Sequence, residues 1–436
     1  MQINLDIDYS LFKSRREQVI DFLKEKNKNI ENGLVILFSD FESERYLFRP
    51  ESSFYYLTGV SEPGAVLLLY FDGRQYLYLP NYGGIREKWV TSEININNNV
   101  EEISQKMGFT EIKYLGSSIN SFSFNSLFSQ EKYFNLLLDI DIFLKNFEKK
   151  EIYTLLDLEN NNKYFTQINI YKNILELYPE MANITGDIAP LVHFLRRFKS
   201  EVEIDLIYKA IQITNIAHDA AAKVIAPGRI EREVQAIIES VFIQTGAVRP
   251  AFPSIVATGK NTTILHYTKK DQELMPGDLV VVDIGAEYGM YAADLTRTYP
   301  VSGQFTERQK EIYNIVLETQ VYVESIAKPG MYLNNKNFPE KSLNYLAHKF
   351  LESYGLGQYF AHNIGHFLGL DVHDVGDNNY ELQPGDVFTI EPGIYIPEEN
   401  LGIRIEDDFL MVEDGVVCLS FGLPKSCDEI EKLMKE

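Results

Sequence analysis

A chain of 436 residues has room for about two to three domains with substantial cores. Its 45% hydrophobic and 24% charged residues describe a globular protein and exclude a disordered one. The formal net charge of −22 argues against nucleic acid as a partner, because phosphate contacts need Lys and Arg.

Residues 1–6 carry no basic region ahead of an apolar core, so no secretory signal is expected. No apolar run approaches a membrane span. The two cysteines, Cys418 and Cys427, make no disulfide framework, which fits a reducing cytoplasm.

In chain order, the first part reads as α/β. Residues 33–38 form a short apolar strand, and residues 65–71 and 75–79 flank Asp72-Gly73, a hairpin signal. Residues 118–175 are Asn-rich with mixed patterning and give no clear element order. A loop-like stretch at 182–186 places the domain boundary near 180, give or take ten residues, so the expected domains are 1–180 and 181–436. Beyond it, Ser200 with Glu203 makes a capping box ahead of Ile204, Ile207, Tyr208 and Ile211 at helical spacing. Pro227-Gly228 ends that helix and residues 230–245 read as a second. Thr306 with Gln309 opens a helix running to about Ala327, and another is expected over 341–354. The second half thus reads helix, helix, hairpin, twice over: an α+β unit with an internal pseudo-repeat.

The two hairpins carry the chemistry. Pro276-Gly277-Asp278 leads through an apolar run to Asp283 and Gly285; 108 residues later, Pro384-Gly385-Asp386 leads through another to Glu391 and Gly393. Each run turns back to a second acid. A turn at Tyr288-Gly289 sets Asp283 directly against Asp294, and a turn at Glu398-Glu399 sets Glu391 against Glu406. Opposed side chains in an antiparallel pair lie roughly 5 Å apart, where like charges destabilise. Two such clashes of one design, within apolar runs, point to divalent cations between them.

Of seven histidines, His362, His366 and His373 fall within twelve residues, and His266 precedes the first hairpin. Four carboxylates and an imidazole favour Mn²⁺ or a similar ion over structural zinc. Four acids exceed the needs of one small ion, so two ions, about 3.5–4 Å apart, and hydrolysis are expected. No Gly-x-Ser-x-Gly elbow or Walker loop competes with this reading.

Leu265-His266-Tyr267, Val282-Asp283-Ile284-Gly285, Ala293-Asp294-Leu295-Thr296-Arg297-Thr298, the segment from His366 to Asp374, Thr389-Ile390-Glu391-Pro392-Gly393 and Gly402-Ile403-Arg404-Ile405-Glu406-Asp407 together resemble the pita-bread metallopeptidases. Within them the chain is most similar to Xaa-Pro aminopeptidases (aminopeptidase P), with Xaa-Pro dipeptidases (prolidases) close behind. The likeness is strongest over 250–410, and Phe54-Tyr55-Tyr56-Leu57-Thr58-Gly59 with Glu62-Pro63 resembles the family's N-terminal domain.

The resemblance implies an α/β N-terminal domain, a pita-bread catalytic domain with a pseudo-two-fold repeat, and release of the N-terminal residue from peptides with proline second. The alternatives are a dipeptidase and a non-catalytic peptide-binding module on the same fold. It implies Asp283, Asp294, His366, Glu391 and Glu406 as ligands of two Mn²⁺ ions, with Co²⁺ or Zn²⁺ as other candidates, and Asp294 and Glu406 as bridges. Glu391 would also shuttle a proton. His266, His362 and His373 would line the substrate site, and Arg404 would orient acids or substrate. It further implies a cytoplasmic homodimer or homotetramer acting on proline-containing peptides, with no nucleic acid and no membrane involved. Glu42, Glu44 and Trp89 are candidates for substrate contact. Asn363 follows His362 where the family carries glycine; since Asn tolerates left-handed backbone, local adjustment is expected there.

Overall fold

A computed structural model describes residues 8–30, 32–43, 45–92, 94, 100–124, 128–156 and 164–435. They form two compact units divided between Leu195 and Arg196. No helix among the described residues is long and apolar enough to cross a membrane.

The first unit starts with helix α1 (Tyr9–Lys26), capped by the Asp8 carboxylate, which accepts from the Ser10 amide at 2.9 Å. Strand β1 (Asn32–Phe38) is buried at every position, as a central strand covered on both faces requires. There follow α2 (Ser52–Thr58), β2 (Val66–Tyr70), β3 (Gln75–Leu79), α3 (Val100–Met107), β4 (Glu111–Tyr114), α4 (Phe134–Asn146), β5 (Lys150–Thr154), α5 (Phe165–Leu177) and β6 (Thr185–Asp187). The strands make one mixed sheet ordered β4-β3-β2-β1-β5-β6, with β1 antiparallel to β2 and parallel to β5. The Asp72-Gly73 turn joins β2 and β3.

Helix α6 (Ala189–Arg197) carries the division, and the second unit is helical and hairpin in alternation. Helices α7 (Glu201–Val224) and α8 (Glu231–Gln244) precede β7 (Arg249–Pro250), β8 (Ile255–Thr258), β9 (Leu279–Ile284), β10 (Ala286–Tyr288), β11 (Tyr291–Ala292) and β12 (Leu295–Pro300). Helices α9 (Glu307–Ile326) and α10 (Leu343–Ser353) precede β13 (Val387–Ile390), β14 (Gly393–Ile396), β15 (Leu401–Arg404), β16 (Asp407–Val412) and β17 (Gly415–Cys418), and α11 (Cys427–Leu433) follows. The capping boxes at Ser200 and Thr306 open α7 and α9. The repeat differs in its outer strand: β8 pairs with β9 from before the hairpin, whereas β17 pairs with β16 from after it.

Strand parity separates core from site. Val280, Val282 and Ile284 of β9, Phe388 and Ile390 of β13, and Ile403 and Ile405 on the return strand pack into one core with α7 to α10. Asp283, Glu391, Arg404 and Glu406 have the opposite parity and point from the other face. An apolar run interrupted by an acid therefore marks a strand with two different jobs on its two sides.

The first hairpin departs from the register expected from sequence. Its two-residue turn is Gly289-Met290, between the paired Tyr288 and Tyr291, and both turn residues have positive φ, 57° and 74°. That is the type I′ geometry that the right-handed strand twist favours, so the turn falls one residue later than Tyr288-Gly289. Asp283 consequently pairs with Thr296, and Asp294 is its diagonal neighbour on the same face. In the second hairpin the loop is Pro397 to Asn400, and the pairs Ile390↔Asp407 and Gly393↔Arg404 flank Glu391 and Glu406, which lie opposite each other.

The two hairpins are stitched together beside the acids. Thr296 and Glu406 exchange backbone hydrogen bonds of 3.1 and 3.4 Å. On the core side, the buried Arg297 donates to the carbonyls of Thr296, Glu406 and Pro424 and to Asp407 Oδ1 at 2.7 Å. Burial works against ionisation of Asp407, but Arg297 and Lys425 hold its carboxyl below the usual range. Replacing one member of such a buried pair leaves an uncompensated charge, so Arg297→Met should cost roughly 3–5 kcal/mol in chemical denaturation. A loss within experimental error of zero would refute this role for Arg297.

Candidate metal centre

A cavity of about 640 Å³ in the second unit is lined by all nine site residues named from sequence. Asp283 reaches it from β9 and Asp294 from the residue before β12. Glu391 follows β13, Arg404 ends β15 and Glu406 lies just beyond. His266, His362, His366 and His373 arrive on loops.

The innermost group is compact. Asp294, His366 and Glu406 each offer a ligand atom within 4.8 Å of one another. His366 Nε2 lies 3.3 Å from Asp294 Oδ2 and 3.6 Å from Glu391 Oε1. Its Nδ1 donates to the Phe367 carbonyl at 3.1 Å, which fixes the tautomer that leaves Nε2 free to ligate. The ring of His373 stands edge-on to that of His366, with centroids 4.3 Å apart.

One guanidinium faces these acids. Arg404 donates to Asp283 Oδ2 at 2.6 Å, to the Tyr395 hydroxyl at 2.8 Å and to Thr296 Oγ1 at 3.2 Å. Thr296 Oγ1 in turn donates to Glu406 Oε2 at 2.7 Å. The Tyr395 hydroxyl donates to His362 Nε2 at 2.8 Å, and His362 Nδ1 donates to the Asn363 carbonyl at 2.8 Å. Arg404, Tyr395 and His362 thus form one directed chain of hydrogen bonds. Burial, with Arg404 nearby, pushes the His362 imidazole down to about 3; burial, with His366 and His266 nearby, pushes His373 to about 4. Both rings are neutral at physiological pH.

Electrostatically the centre is short of positive charge. Burial and then repulsion from neighbouring acids hold Asp294 and Glu406 well above the ordinary carboxylate range. Glu391 is raised by burial against the partial relief of His366 and Arg404. Asp408, whose Oδ2 accepts from the Asp294 amide at 3.2 Å, is raised by burial as well. Asp283 Oδ1 is buried without a hydrogen-bond partner among the described residues. An unsatisfied buried carboxylate oxygen is costly unless a cation or donor occupies its lone pairs. Hard oxygen donors with one imidazole suit a divalent ion, so the residues present fit a metal.

Four other positions named from the sequence are Asn363, Glu42, Glu44 and Trp89. Asn363 lies outside the positive-φ residues, so the glycine-to-asparagine change there asks for no left-handed backbone. Glu42, a candidate for meeting a substrate amine, is held by Arg86 at 2.5 Å and accepts the Phe124 amide, which satisfies its charge locally. Glu44 lies outside the described residues, and Trp89 is 70% exposed and stacked on Phe122 at 5.3 Å. Tyr395 and Asp408 were not picked out from sequence. The signal for Tyr395 was its parity: residues 391, 393 and 395 share one face. Gly393 gives it room, since a side chain there would meet the Tyr395 hydroxyl and His362 Nε2.

Residues 205–413 match the model of metallopeptidase family M24, and residues 12–133 match that of the aminopeptidase P N-terminal domain. The fold and site define a two-domain metallopeptidase of the pita-bread class. Similarity extends along the whole chain: it is 34% identical to the Xaa-Pro aminopeptidase of Haemophilus influenzae, covering 92% of this chain and 93% of that one. A solved structure of zinc-substituted Escherichia coli aminopeptidase P in complex with product superimposes with a TM-score of 0.80 at 28% identity, over 98% of each chain. The Xaa-Pro dipeptidase of Pyrococcus furiosus is 39% identical, but over 61% of this chain and 75% of that protein. The chain belongs to the Xaa-Pro aminopeptidases of family M24.

A carboxyl raised in the folded state binds more protons folded than unfolded. Its contribution to stability is present below the unfolded pKa and is lost as pH rises through the folded one. The four raised acids should therefore make the metal-free protein depend on a cation most at high pH. The gain in Tm on adding saturating Mn²⁺ to chelated protein should grow from about pH 5 to about pH 8, where ordinary carboxylates are ionised. A gain that is constant or shrinks across this interval would contradict the assignment.

Proposed function

We propose that this enzyme is a dinuclear metallo-exopeptidase that cleaves the Xaa-Pro bond at the N-terminus of peptides, with Asp283, Asp294, His366, Glu391 and Glu406 holding two Mn²⁺ ions. In this reading Asp294 and Glu406, both held well above the ordinary carboxylate range, would be ligands together with Asp283, whose Oδ1 offers a donor that nothing else among the described residues satisfies. The single observation that carries the proposal is this convergence of four carboxylates and an imidazole on one cavity with one guanidinium beside them. When bound, such ions lower the pKa of water and polarise a carbonyl.

Glu391 is the proton carrier. Its raised proton affinity suits a group that takes a proton from the attacking water and gives it to the departing proline nitrogen. The neutral His362 and His373 and the loop residue His266 hold the substrate on the open side of the centre, with His266 offered as the donor to oxygen as negative charge develops and His362, whose two ring nitrogens are engaged by Asn363 and Tyr395, lining the site. Arg404 holds Asp283 and, through Tyr395, the tautomer of His362. Near full-length likeness to an aminopeptidase, against partial likeness to a dipeptidase, supports a preference for Xaa-Pro-Yaa over Xaa-Pro. The same reading takes the working form as a cytoplasmic homodimer or homotetramer, in keeping with two free cysteines whose thiols burial pushes up to about 11.

The test is release of the first amino acid from Gly-Pro and from a longer Xaa-Pro-Yaa peptide by chelated enzyme with and without Mn²⁺. Activity should return with Mn²⁺ and favour the longer peptide. Glu391→Gln should lower kcat by about 10²–10⁴-fold, the usual contribution of a general acid–base. No release from either peptide by metal-replete enzyme would overturn the function, and release from Gly-Pro alone would make it a dipeptidase.

A further inference from the structure

His266 sits on a long connection between β8 and β9, and the stretch from His266 to Lys270 has neither helix nor strand to hold it. It is exposed at the cavity, together with its neighbours Leu265 and Thr268 on the lining. Some other interaction must fix its position. The adjacent Tyr267 turns the opposite way and is buried against Ile255 and Ala257.

One carboxylate gathers this connection from both ends. Glu231, the first residue of α8, is fully buried. Its Oε1 accepts the Thr258 amide at 2.8 Å and Asn261 Nδ2 at 3.1 Å, ahead of His266. Its Oε2 accepts the Tyr267 hydroxyl at 2.9 Å and the Gln272 amide at 3.1 Å, behind it. The Glu231 amide also donates to the Gln272 carbonyl at 3.1 Å. Four donors on two oxygens saturate an ionised carboxylate, and the amino end of a helix favours the negative charge. Such saturation outside the cavity lining calls for a local explanation, and the segment it closes is the one that presents His266.

We propose that Glu231 is a positioning residue for the peptidase reaction, acting through the Thr258–Gln272 connection to set the place of His266 over the substrate. This rests on the assignment of His266 to the substrate site made above. Glutamine is nearly isosteric but carries an amide nitrogen on one side. Whichever way it is placed, that nitrogen faces a backbone amide, of Thr258 or of Gln272, that now lacks its acceptor. Tyr267→Phe removes one of the four bonds and leaves the charge.

The experiment measures kcat and KM on an Xaa-Pro-Yaa peptide for Glu231→Gln, Tyr267→Phe, His266→Ala and the Glu231→Gln/His266→Ala double variant, all Mn²⁺-loaded with metal content determined. Amide hydrogen exchange is followed over residues 258–272. Glu231→Gln should lower kcat/KM by about tenfold to a hundredfold, the scale of a misplaced substrate contact, with full metal content. Tyr267→Phe should lie between it and the parent. Exchange should rise in the connection and stay unchanged in β9 and β13. In the His266→Ala background the glutamine should cost less than about twofold, because coupled residues are not additive. The proposal fails if exchange in the connection is unaltered in both single variants, or if Glu231→Gln costs as much with His266 absent as with it present. His266→Ala at parental activity would remove His266 from the proposed function and overturn the proposal with it. Loss in His266→Ala without loss in the other two would overturn the proposal alone.

Discussion

Negative charge that has nowhere to go organises the second unit. Asp283, Asp294, Glu391 and Glu406 converge on one cavity, and the high proton affinities of Asp294, Glu391 and Glu406 measure how badly the folded chain tolerates their ionisation. Arg404 relieves part of this through Asp283. The remainder must be supplied from outside the chain, which is the physical meaning of a metal site. Everything that keeps these groups from swinging apart is framework: the Thr296–Glu406 bridge on one side and the Arg297 hub on the other.

That framework also explains why the acids sit in apolar runs. A strand that is buried on both faces reads as near-continuous hydrophobic sequence. In β9 and β13 one face goes to helices α7 to α10 and the other to the cavity, so a single acid at the cavity parity is compatible with an otherwise Val- and Ile-rich strand. Pro-Gly-Asp turns ahead of each run and the acids within them were therefore visible in the sequence. So were the starts of α7 and α9, because the capping boxes at Ser200 and Thr306 mark them chemically.

Other features could not be read so directly. The first turn lies a residue later than the local composition suggests because Met290 takes a positive φ that its side chain disfavours. The resulting diagonal offset of Asp283 and Asp294 follows from the turn alone. In the first unit, α4, β5 and α5 lie in an Asn-rich stretch, and their periodicity is blurred until the six-stranded sheet fixes which faces are covered. The pairing of Glu42 with Arg86, 44 positions away, likewise leaves no mark in the local sequence. Saturation of Glu231 by donors from both ends of a long connection is a tertiary fact with no linear signature.

The mismatch between the two hairpins has a further consequence. Were the repeated halves identical, the cavity would possess a true rotation axis, and a peptide threaded N-to-C would find the same surroundings as one threaded C-to-N. Instead one acid pair is offset and the other directly opposed, and His366 and Arg404 come from the second half alone. Chain polarity in the ligand is thereby distinguishable by the frame itself, so a duplicated scaffold acquires a sense of direction from a turn that is set by two backbone angles.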